Sequence, residues 1–191
     1  MAESSKSPRR AVFLDRDGTI LDEVGYVNHI RRYALYPYAP RAIRRLNQAG
    51  WPVIVVSNQS GVNRGFFPES LVHEVHRNLS ADLAAAGAAI DAYYFCPHIA
   101  ADNCDCRKPK TGMLTQAARE HNLQIEGSWM VGDREIDMQM AQTARCRHVM
   151  LLSGYGRGDY EYHHREWSRQ PDFVVDTLAD AVDIILREES R

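Results

Sequence analysis

Hydrophobic positions along the chain follow two patterns. Short unbroken apolar runs, such as Val53 to Val56, are typical of strands that are buried on both faces. Longer segments space their apolar residues three or four positions apart, as Leu71, Val75 and Leu79 do, which is typical of helices with one buried face. The two kinds of segment alternate along most of the chain, so the sequence predicts strands and helices in turn.

This alternation predicts a mostly parallel sheet covered by helices on both faces, a Rossmann-like doubly wound α/β fold. Two irregular stretches, 96–110 and 154–171, are predicted as long loops, and no insertion is long enough for a large cap domain. In such sheets ligands bind beyond the carboxyl ends of the strands. We predict strands over 11–15, 52–57, 92–96, 128–132, 148–153 and 173–175, and helices over 40–49, 68–86, 111–121, 136–144 and 178–187.

Length and composition are those of one globular domain. Of the 191 residues, 45% are hydrophobic and 25% are charged, so we expect a packed domain over residues 11–191. Residues 1–10 are polar and basic, and we expect a disordered tail there. The longest apolar runs are too short to cross a bilayer, and a net charge of -2 gives no reason to expect a nucleic-acid partner. We expect a cytoplasmic monomer that binds a small molecule, with neither nucleic acid nor membrane as a partner.

A pair of acids directly follows the first predicted strand, in Asp15-Arg16-Asp17-Gly18-Thr19. Alternate residues of an extended segment face the same way, so both carboxylates are expected to reach one substrate phosphate. Because a phosphate ester repels anionic nucleophiles, Asp15 can attack only if a cation such as Mg²⁺ neutralises the phosphoryl oxygens. Asp17 is then placed to act as general acid and general base. Acids beside a glycine are also common in simple turns, so the pentapeptide alone leaves that interpretation open.

Three more side chains are predicted at the same edge of the sheet. Ser57 ends the second strand, Lys108 precedes the third helix, and Asp133 follows the fourth strand. Taken singly, they are equally typical of a turn cap, a solvated lysine and a helix N-cap. Together with the acid pair they supply a phosphate-binding hydroxyl, a neutralising cation and a third carboxylate for a metal ion. The combination favours phosphoryl-group chemistry.

Three of the four cysteines crowd into one short segment that also contains a histidine. Cys96, His98, Cys104 and Cys106 offer the ligand set of a closed tetrahedral zinc site. A disulfide framework would leave an odd thiol and would need an oxidising compartment, so the spacing favours zinc. Four protein ligands leave no open position for water or substrate, so the predicted zinc is structural. It would brace the segment that leads into Lys108.

These motifs resemble, in the same order, the four motifs of the haloacid dehalogenase-like phosphatases. The resemblance implies that Asp15 is the nucleophile and Asp17 the general acid and base, with Ser57 and Lys108 stabilising the phosphoryl group. It also implies Mg²⁺ bound by Asp15, the backbone carbonyl of Asp17 and Asp133. The matching segments are Asp15-Arg16-Asp17-Gly18-Thr19, Ser57-Asn58-Gln59, Lys108 and Gly132-Asp133-Arg134-Glu135-Ile136-Asp137, in which Asp137 is expected to support the metal ligands.

The cysteine-rich segment resembles two branches of that superfamily, the heptose bisphosphate phosphatases of lipopolysaccharide synthesis and the histidinol-phosphatases. Residues 23–27 and 58–65 are more similar to the heptose branch. The resemblance therefore implies removal of the 7-phosphate from D-glycero-D-manno-heptose 1,7-bisphosphate, with histidinol phosphate as the alternative substrate. It implies substrate contacts by Glu23, Val24, Gly25, Tyr26, Asn58, Gln59, Ser60 and Arg107.

Two other functions use similar parts. A phosphoacceptor signalling module also combines an aspartate, a hydroxyl, a lysine and Mg²⁺ on a parallel sheet, but its phospho-aspartate must persist. Asp17, two residues after Asp15, supplies a base for rapid hydrolysis and argues against a stored phosphoryl group. A phosphatase of nucleic-acid 3′-phosphate ends would keep the chemistry, and the net charge of -2 weighs against that substrate.

Overall fold

A computed structural model describes residues 7–190, which form one six-stranded parallel sheet with helices on both faces. The strand order is β3-β2-β1-β4-β5-β6, so the fold class is confirmed as doubly wound α/β. The strands are β1 (Arg9–Leu14), β2 (Val53–Asn58), β3 (Ala92–Cys96), β4 (Leu123–Gly132), β5 (Arg147–Leu151) and β6 (Phe173–Val175), and the helices are α1 (Ala39–Gln48), α2 (Glu69–Ala85), α3 (Gly112–His121), α4 (Glu135–Ala144), α5 (Gly156–His163) and α6 (Leu178–Glu189).

Strand β1 lies at the centre of the sheet and is covered on both faces. Val12 and Leu14 belong to the core layer that contains α1, α2 and α6, whereas Ala11 and Phe13 belong to the layer that contains α3 and α4. The winding direction reverses between β1 and β4, so a crevice opens at the carboxyl ends of these two strands. The residues that follow β1 and β4 therefore lie at this crevice.

The sheet extends further toward the N-terminus of the chain than predicted. Strand β1 begins at Arg9, because Arg9 and Arg10 pair with Leu123 and Gln124, and β4 begins five residues before its predicted start at 128. Polar residues at exposed positions of this extension hid it from the hydrophobic pattern. Part of the expected tail is thus strand, and residues 1–6 lie outside the described residues.

The prediction of a long loop over 154–171 is wrong. Helix α5 and a short 3-10 helix, His164–Glu166, occupy most of it. The only buried residue of α5 is Gly156, so the helix has no apolar stripe from which it could be predicted. The other helices and strands end within two residues of their predicted bounds. No helix within residues 7–190 is both long enough and apolar enough to cross a bilayer.

Candidate active site

Asp15 enters the crevice directly from the end of β1. Its backbone N–H donates to the carbonyl oxygen of Val131 in β4 at 2.9 Å, which continues the sheet pairing by one residue. The backbone N–H of Arg16 donates to Asp15 Oδ1 at 2.7 Å. Asp15 is buried, so both its backbone and its carboxylate are held by fixed main-chain groups. The orientation of the Asp15 side chain is therefore fixed by the end of the sheet.

Lys108 reaches the same carboxylate from the segment that follows the cysteines. Its Nζ lies 2.8 Å from Asp15 Oδ1, 2.7 Å from Asp137 Oδ1 and 3.1 Å from the carbonyl oxygen of Val56. Burial alone would lower the pKa of the Lys108 ammonium group, but Asp137 and Asp15 outweigh burial and raise it. Burial raises the pKa of the Asp15 carboxyl to about 7, although Lys108 opposes that rise. The lysine is thus a fixed cation beside the Asp15 carboxylate.

Asp133 completes a cluster of three buried carboxylates. One oxygen each from Asp15, Asp133 and Asp137 lies within 4.8 Å of the others. Asp133 Oδ2 accepts the backbone N–H of Tyr155 at 2.8 Å, whereas Oδ1 is buried and has no hydrogen-bond partner among the described residues. Burial, with Asp15 next, raises the pKa of Asp133 to about 8. A free buried oxygen among oxygen ligands fits a divalent cation such as Mg²⁺.

Two glycines allow the loops to pack tightly around Asp133. A Cβ atom on Gly18 or on Gly154 would lie 2.2 Å from Asp133 Oδ2. Both residues also have positive φ angles, +79° and +54°, which favour glycine. The hydroxyl of Ser153 donates to the carbonyl oxygen of Gly18 at 2.6 Å and joins the two loops. Only glycine lets the backbone approach the carboxylate this closely.

The side chain of Asp17 is not part of the carboxylate cluster. Asp17 Oδ2 accepts from Gln59 Nε2 at 2.8 Å and from Arg16 Nη2 at 2.8 Å, and Oδ1 accepts from Arg16 Nε at 3.1 Å. Gln59 Nε2 also donates to Ser57 Oγ at 2.7 Å. One hydrogen-bonded chain thus links the second acid of the motif to the hydroxyl at the end of β2.

These groups line one cleft of ≈ 390 Å³. Asp15, Asp17, Ser57, Lys108 and Asp133 all contribute to its wall. The structure therefore brings together the five side chains that were expected to carry the chemistry. The other residues lining the cleft are Glu23, Gly25, Tyr26, Val27, Asn58, Gln59, Ser60, Arg107, Arg134, Ile136 and Tyr155.

Two expected substrate contacts have other places in the structure. Val24 does not line the cleft and packs against the hydrophobic core. The side chain of Asn58 lies at the cleft but is used to hold the backbone of Lys108. It donates to the Lys108 carbonyl oxygen at 3.2 Å and accepts the Lys108 N–H at 3.0 Å. Asn58 thereby fixes the lysine that contacts Asp15.

Cys96, His98, Cys104 and Cys106 come together in the segment before Lys108. The three sulfur–sulfur distances are 3.0, 3.4 and 3.5 Å, and His98 Nδ1 lies 3.3 Å from Cys106 Sγ. A tetrahedral zinc site has ligand–ligand distances of about 3.5–3.8 Å, so the cluster fits zinc with small adjustments. Burial would raise the pKa of Cys104, but hydrogen bonds from Cys106 and from the backbone lower it to about 7.

Sequence reasoning assigned no function to three residues of this region. Arg134 follows Asp133, lines the cleft and lies over the ring of Tyr155, with 4.5 Å between its Cζ and the ring centroid. Its position in the fourth motif was a usable signal. Tyr155 lies just before α5, in the part of the chain that was predicted as a loop, and no pattern marked it. Arg16 was visible within the first motif, but its direction was not.

Two protein-family models match the chain. A model described as haloacid dehalogenase-like hydrolase matches residues 22–142, and one described as HAD-hydrolase-like matches residues 105–181. The first match covers more than half of the chain. The chain belongs to the haloacid dehalogenase-like hydrolases. The acid pair, Ser57, Lys108 and Asp133, which carry the resemblance to the four motifs of that family, line the same cleft.

Several members of this hydrolase family are similar to the chain over nearly its full length. The D-glycero-D-manno-heptose-1,7-bisphosphate 7-phosphatase of Thermosynechococcus vestitus is 41% identical over 193 residues, covering 93% of this chain and 96% of the relative. The corresponding Yersinia pestis phosphatase is 40% identical over 178 residues, covering 89% and 92%. The crystal structure of D,D-heptose 1,7-bisphosphate phosphatase from B. bronchiseptica, complexed with magnesium and phosphate, superposes with a TM-score of 0.85 at 32% identity, covering 94% and 99%.

Proposed function

We propose that this chain is a magnesium-dependent phosphatase that removes the 7-phosphate of D-glycero-D-manno-heptose 1,7-bisphosphate through a phospho-aspartate on Asp15. The observation that carries the proposal is the position of Lys108 Nζ, 2.8 Å from Asp15 and 2.7 Å from Asp137, beside the free oxygen of Asp133. The Lys108 ammonium group suits a doubly charged phosphate group, and the carboxylates suit a divalent cation. The proposed substrate is the one in the names of the heptose phosphatases to which the chain is similar.

Magnesium would be held by Asp15, the Asp17 backbone carbonyl and Asp133. When bound, it neutralises charge on the phosphoryl oxygens so that a carboxylate can approach phosphorus. Asp137 contacts Lys108 Nζ and also accepts the backbone N–H of Arg134 at 3.2 Å. We therefore assign Asp137 to holding the lysine.

In the first half-reaction a carboxylate oxygen of Asp15 attacks phosphorus. The bond between phosphorus and the leaving sugar oxygen breaks, and its electron pair goes to that oxygen, which takes a proton from Asp17. Lys108 Nζ and Ser57 Oγ stabilise the phosphoryl oxygens while the group is transferred to Asp15. The products of this step are the sugar alcohol and the phosphorylated Asp15.

In the second half-reaction water attacks the phosphorus of the phosphorylated Asp15. Asp17 accepts the proton of that water, and the bond between phosphorus and the Asp15 oxygen breaks. Inorganic phosphate leaves and the Asp15 carboxylate is restored. Asp17 thus regains the proton that it lost in the first half-reaction, so the cycle closes without a further reactant.

The sugar would be recognised by the wall of the cleft on the side of Glu23, Gly25 and Tyr26 and by Arg107. The guanidinium of Arg107 donates to the carbonyl oxygen of His98 at 3.0 Å, which ties it to the cysteine cluster. We propose that zinc on this cluster is structural and that it fixes Arg107 and Lys108 over the substrate. We also propose that the enzyme works as a monomer in the cytoplasm, where sugar phosphates of lipopolysaccharide synthesis are made.

An assay panel tests the proposed function. Heptose 1,7-bisphosphate, histidinol phosphate and a 3′-phosphorylated oligonucleotide are compared with and without Mg²⁺. We expect metal-dependent release of phosphate with the heptose substrate at much the highest kcat/KM. Preference for histidinol phosphate would contradict the substrate assignment, and turnover without added metal by the metal-stripped enzyme would contradict the mechanism.

The Asp15→Asn variant tests the nucleophile in the same panel. An amide is not nucleophilic, so turnover should fall to background while circular dichroism shows an intact fold. Wild-type rates in this variant would overturn the assignment of Asp15.

A further inference from the structure

Arg16 stands between the two acids of the first motif but does not face the cleft. Arg16 is only 1% exposed and is not among the residues that line the cleft. A buried guanidinium is costly unless it is paired and hydrogen-bonded. Arg16 is therefore not placed to hold substrate phosphate, and its contacts have to account for its burial.

The guanidinium is paired with Asp17 in a fork. Nε lies 3.1 Å from Asp17 Oδ1 and Nη2 lies 2.8 Å from Asp17 Oδ2, so both carboxylate oxygens are held in one plane. Such two-point pairing fixes direction as well as distance, which a lysine does not do. Both oxygens act as acceptors here, as the carboxylate form allows. That form is the one which takes a proton from water.

The far side of the same guanidinium meets His76 of α2. Arg16 Nη1 lies 3.5 Å from His76 Nε2. The His76 ring is stacked on Tyr93, with 4.6 Å between the ring centroids and 20° between the planes. Burial, helped by Arg16, lowers the pKa of His76 to about 3, so the ring is neutral and can accept from the guanidinium. Helix α2 thus holds the arginine from behind.

We infer that Arg16, held in place by His76, is the positioning residue that aims the Asp17 carboxylate at the water that cleaves the phospho-aspartate. The inference rests on the proposed function, because it presumes that Asp17 serves as the base. It goes further by assigning a purpose to a buried ion pair and to a histidine in a helix outside the cleft.

The Arg16→Lys variant keeps the charge and loses the fork. With p-nitrophenyl phosphate, whose leaving group needs little protonation, rapid mixing separates phosphoenzyme formation from its hydrolysis. We expect the burst of p-nitrophenol to keep its rate, hydrolysis to slow by roughly ten- to a hundredfold, and phosphoenzyme to accumulate. A residue with only a structural effect would slow both steps together.

Two variants at His76 test the inference without changing Arg16, in case Arg16→Lys does not fold. His76→Phe keeps a ring against Tyr93 and removes the acceptor, whereas His76→Gln keeps an acceptor. We expect His76→Phe to slow hydrolysis of the phosphoenzyme and His76→Gln to keep most of the wild-type hydrolysis rate. His148→Phe is the control, since His148 is also buried but its ring has no hydrogen-bond partner among the described residues.

Asp17→Asn provides the reference that separates two kinds of failure. If Asp17→Asn traps phosphoenzyme while Arg16→Lys and His76→Phe slow both steps equally or neither, the positioning inference is overturned and the proposed function stands. If Asp17→Asn hydrolyses its phosphoenzyme at the wild-type rate, Asp17 is not the base, and the inference falls together with the role proposed for Asp17 in the second half-reaction. The inference is supported if phosphoenzyme accumulates in all three variants and His76→Gln hydrolyses it at close to the wild-type rate.

Discussion

At the scale of single residues, the candidate active site gathers buried carboxylates whose charged forms a bound cation would stabilise. Burial raises the pKa of Asp15 to about 7 and that of Asp133 to about 8, and Lys108 offsets only part of this rise. Each raised carboxyl group favours the folded state at low pH. That contribution is lost as the pH rises from the unfolded value near 3.8 through these folded values.

The stabilising effect of Mg²⁺ should therefore grow with pH. Protons compete with the metal for Asp15 and Asp133, so thermal unfolding should show little stabilisation by Mg²⁺ at about pH 5 and much more at about pH 8. At a hundredfold excess over Kd the expected stabilisation is about 2.7 kcal/mol. The control is Asp133→Asn, which should lose most of the effect at both pH values. A metal-induced shift in Tm that is the same at both would contradict this interpretation.

At the scale of elements, the segment 96–110 connects the cysteine cluster to Lys108. Asn58 at the end of β2 holds the Lys108 backbone with two hydrogen bonds, and the cysteine cluster ends at Cys106, two residues before Lys108. The lysine is thus fixed from two directions. Loss of the cluster should loosen it without removing any group that touches the reacting atoms.

Replacing Cys104 by Ser should release the zinc and weaken substrate binding more than it weakens the core. We expect elemental analysis to find near zero instead of about one zinc per chain, and KM to rise by about an order of magnitude. Cys146→Ser is the matched control, because Cys146 lies outside the cluster and donates to the carbonyl oxygen of Ile125. Full zinc content in Cys104→Ser would refute the site.

The loops after β1 and β5 meet at Asp133 through glycines. In Gly154→Ala the new Cβ would lie 2.2 Å from Asp133 Oδ2 and 2.7 Å from Gly18 Cα, so the carboxylate must move. We expect kcat to fall by roughly a hundredfold, as displacement of a catalytic group by about 1 Å can cost. In the control, Gly50→Ala, φ is +81° but no atom lies within 4 Å, so stability alone should fall, by about 1–2 kcal/mol. Equal kcat values in the two variants would count against tight packing at Asp133.

At the scale of the whole molecule, a parallel sheet gathers distant residues at one edge. Asp15, Ser57 and Asp133 follow or end β1, β2 and β4, and these strands are neighbours in the order β2-β1-β4. Residues far apart in sequence therefore meet in one cleft of ≈ 390 Å³. Among the described residues, no large cap domain covers the cleft.

Much of this arrangement could be predicted because fully buried strands have a distinctive sequence pattern. Val53 to Val56 predicted β2 without ambiguity, and the acids and Ser57 are placed by the strands that precede them. Helix α5 could not be predicted, since it buries only Gly156. Nor could the direction of Arg16, because an arginine between two acids is as typical of a phosphate contact as of an internal ion pair.

The most direct test of the mechanism is to find the phosphoryl group on the protein. Asp17→Asn enzyme is mixed with radiolabelled p-nitrophenyl phosphate and Mg²⁺, quenched in acid and digested, and the labelled peptide is located by mass spectrometry. We predict label on the peptide that contains Asp15, accumulating in this variant because hydrolysis of the phospho-aspartate is slowed. Label on any other residue, or p-nitrophenol formed with no labelled protein, would contradict the proposal.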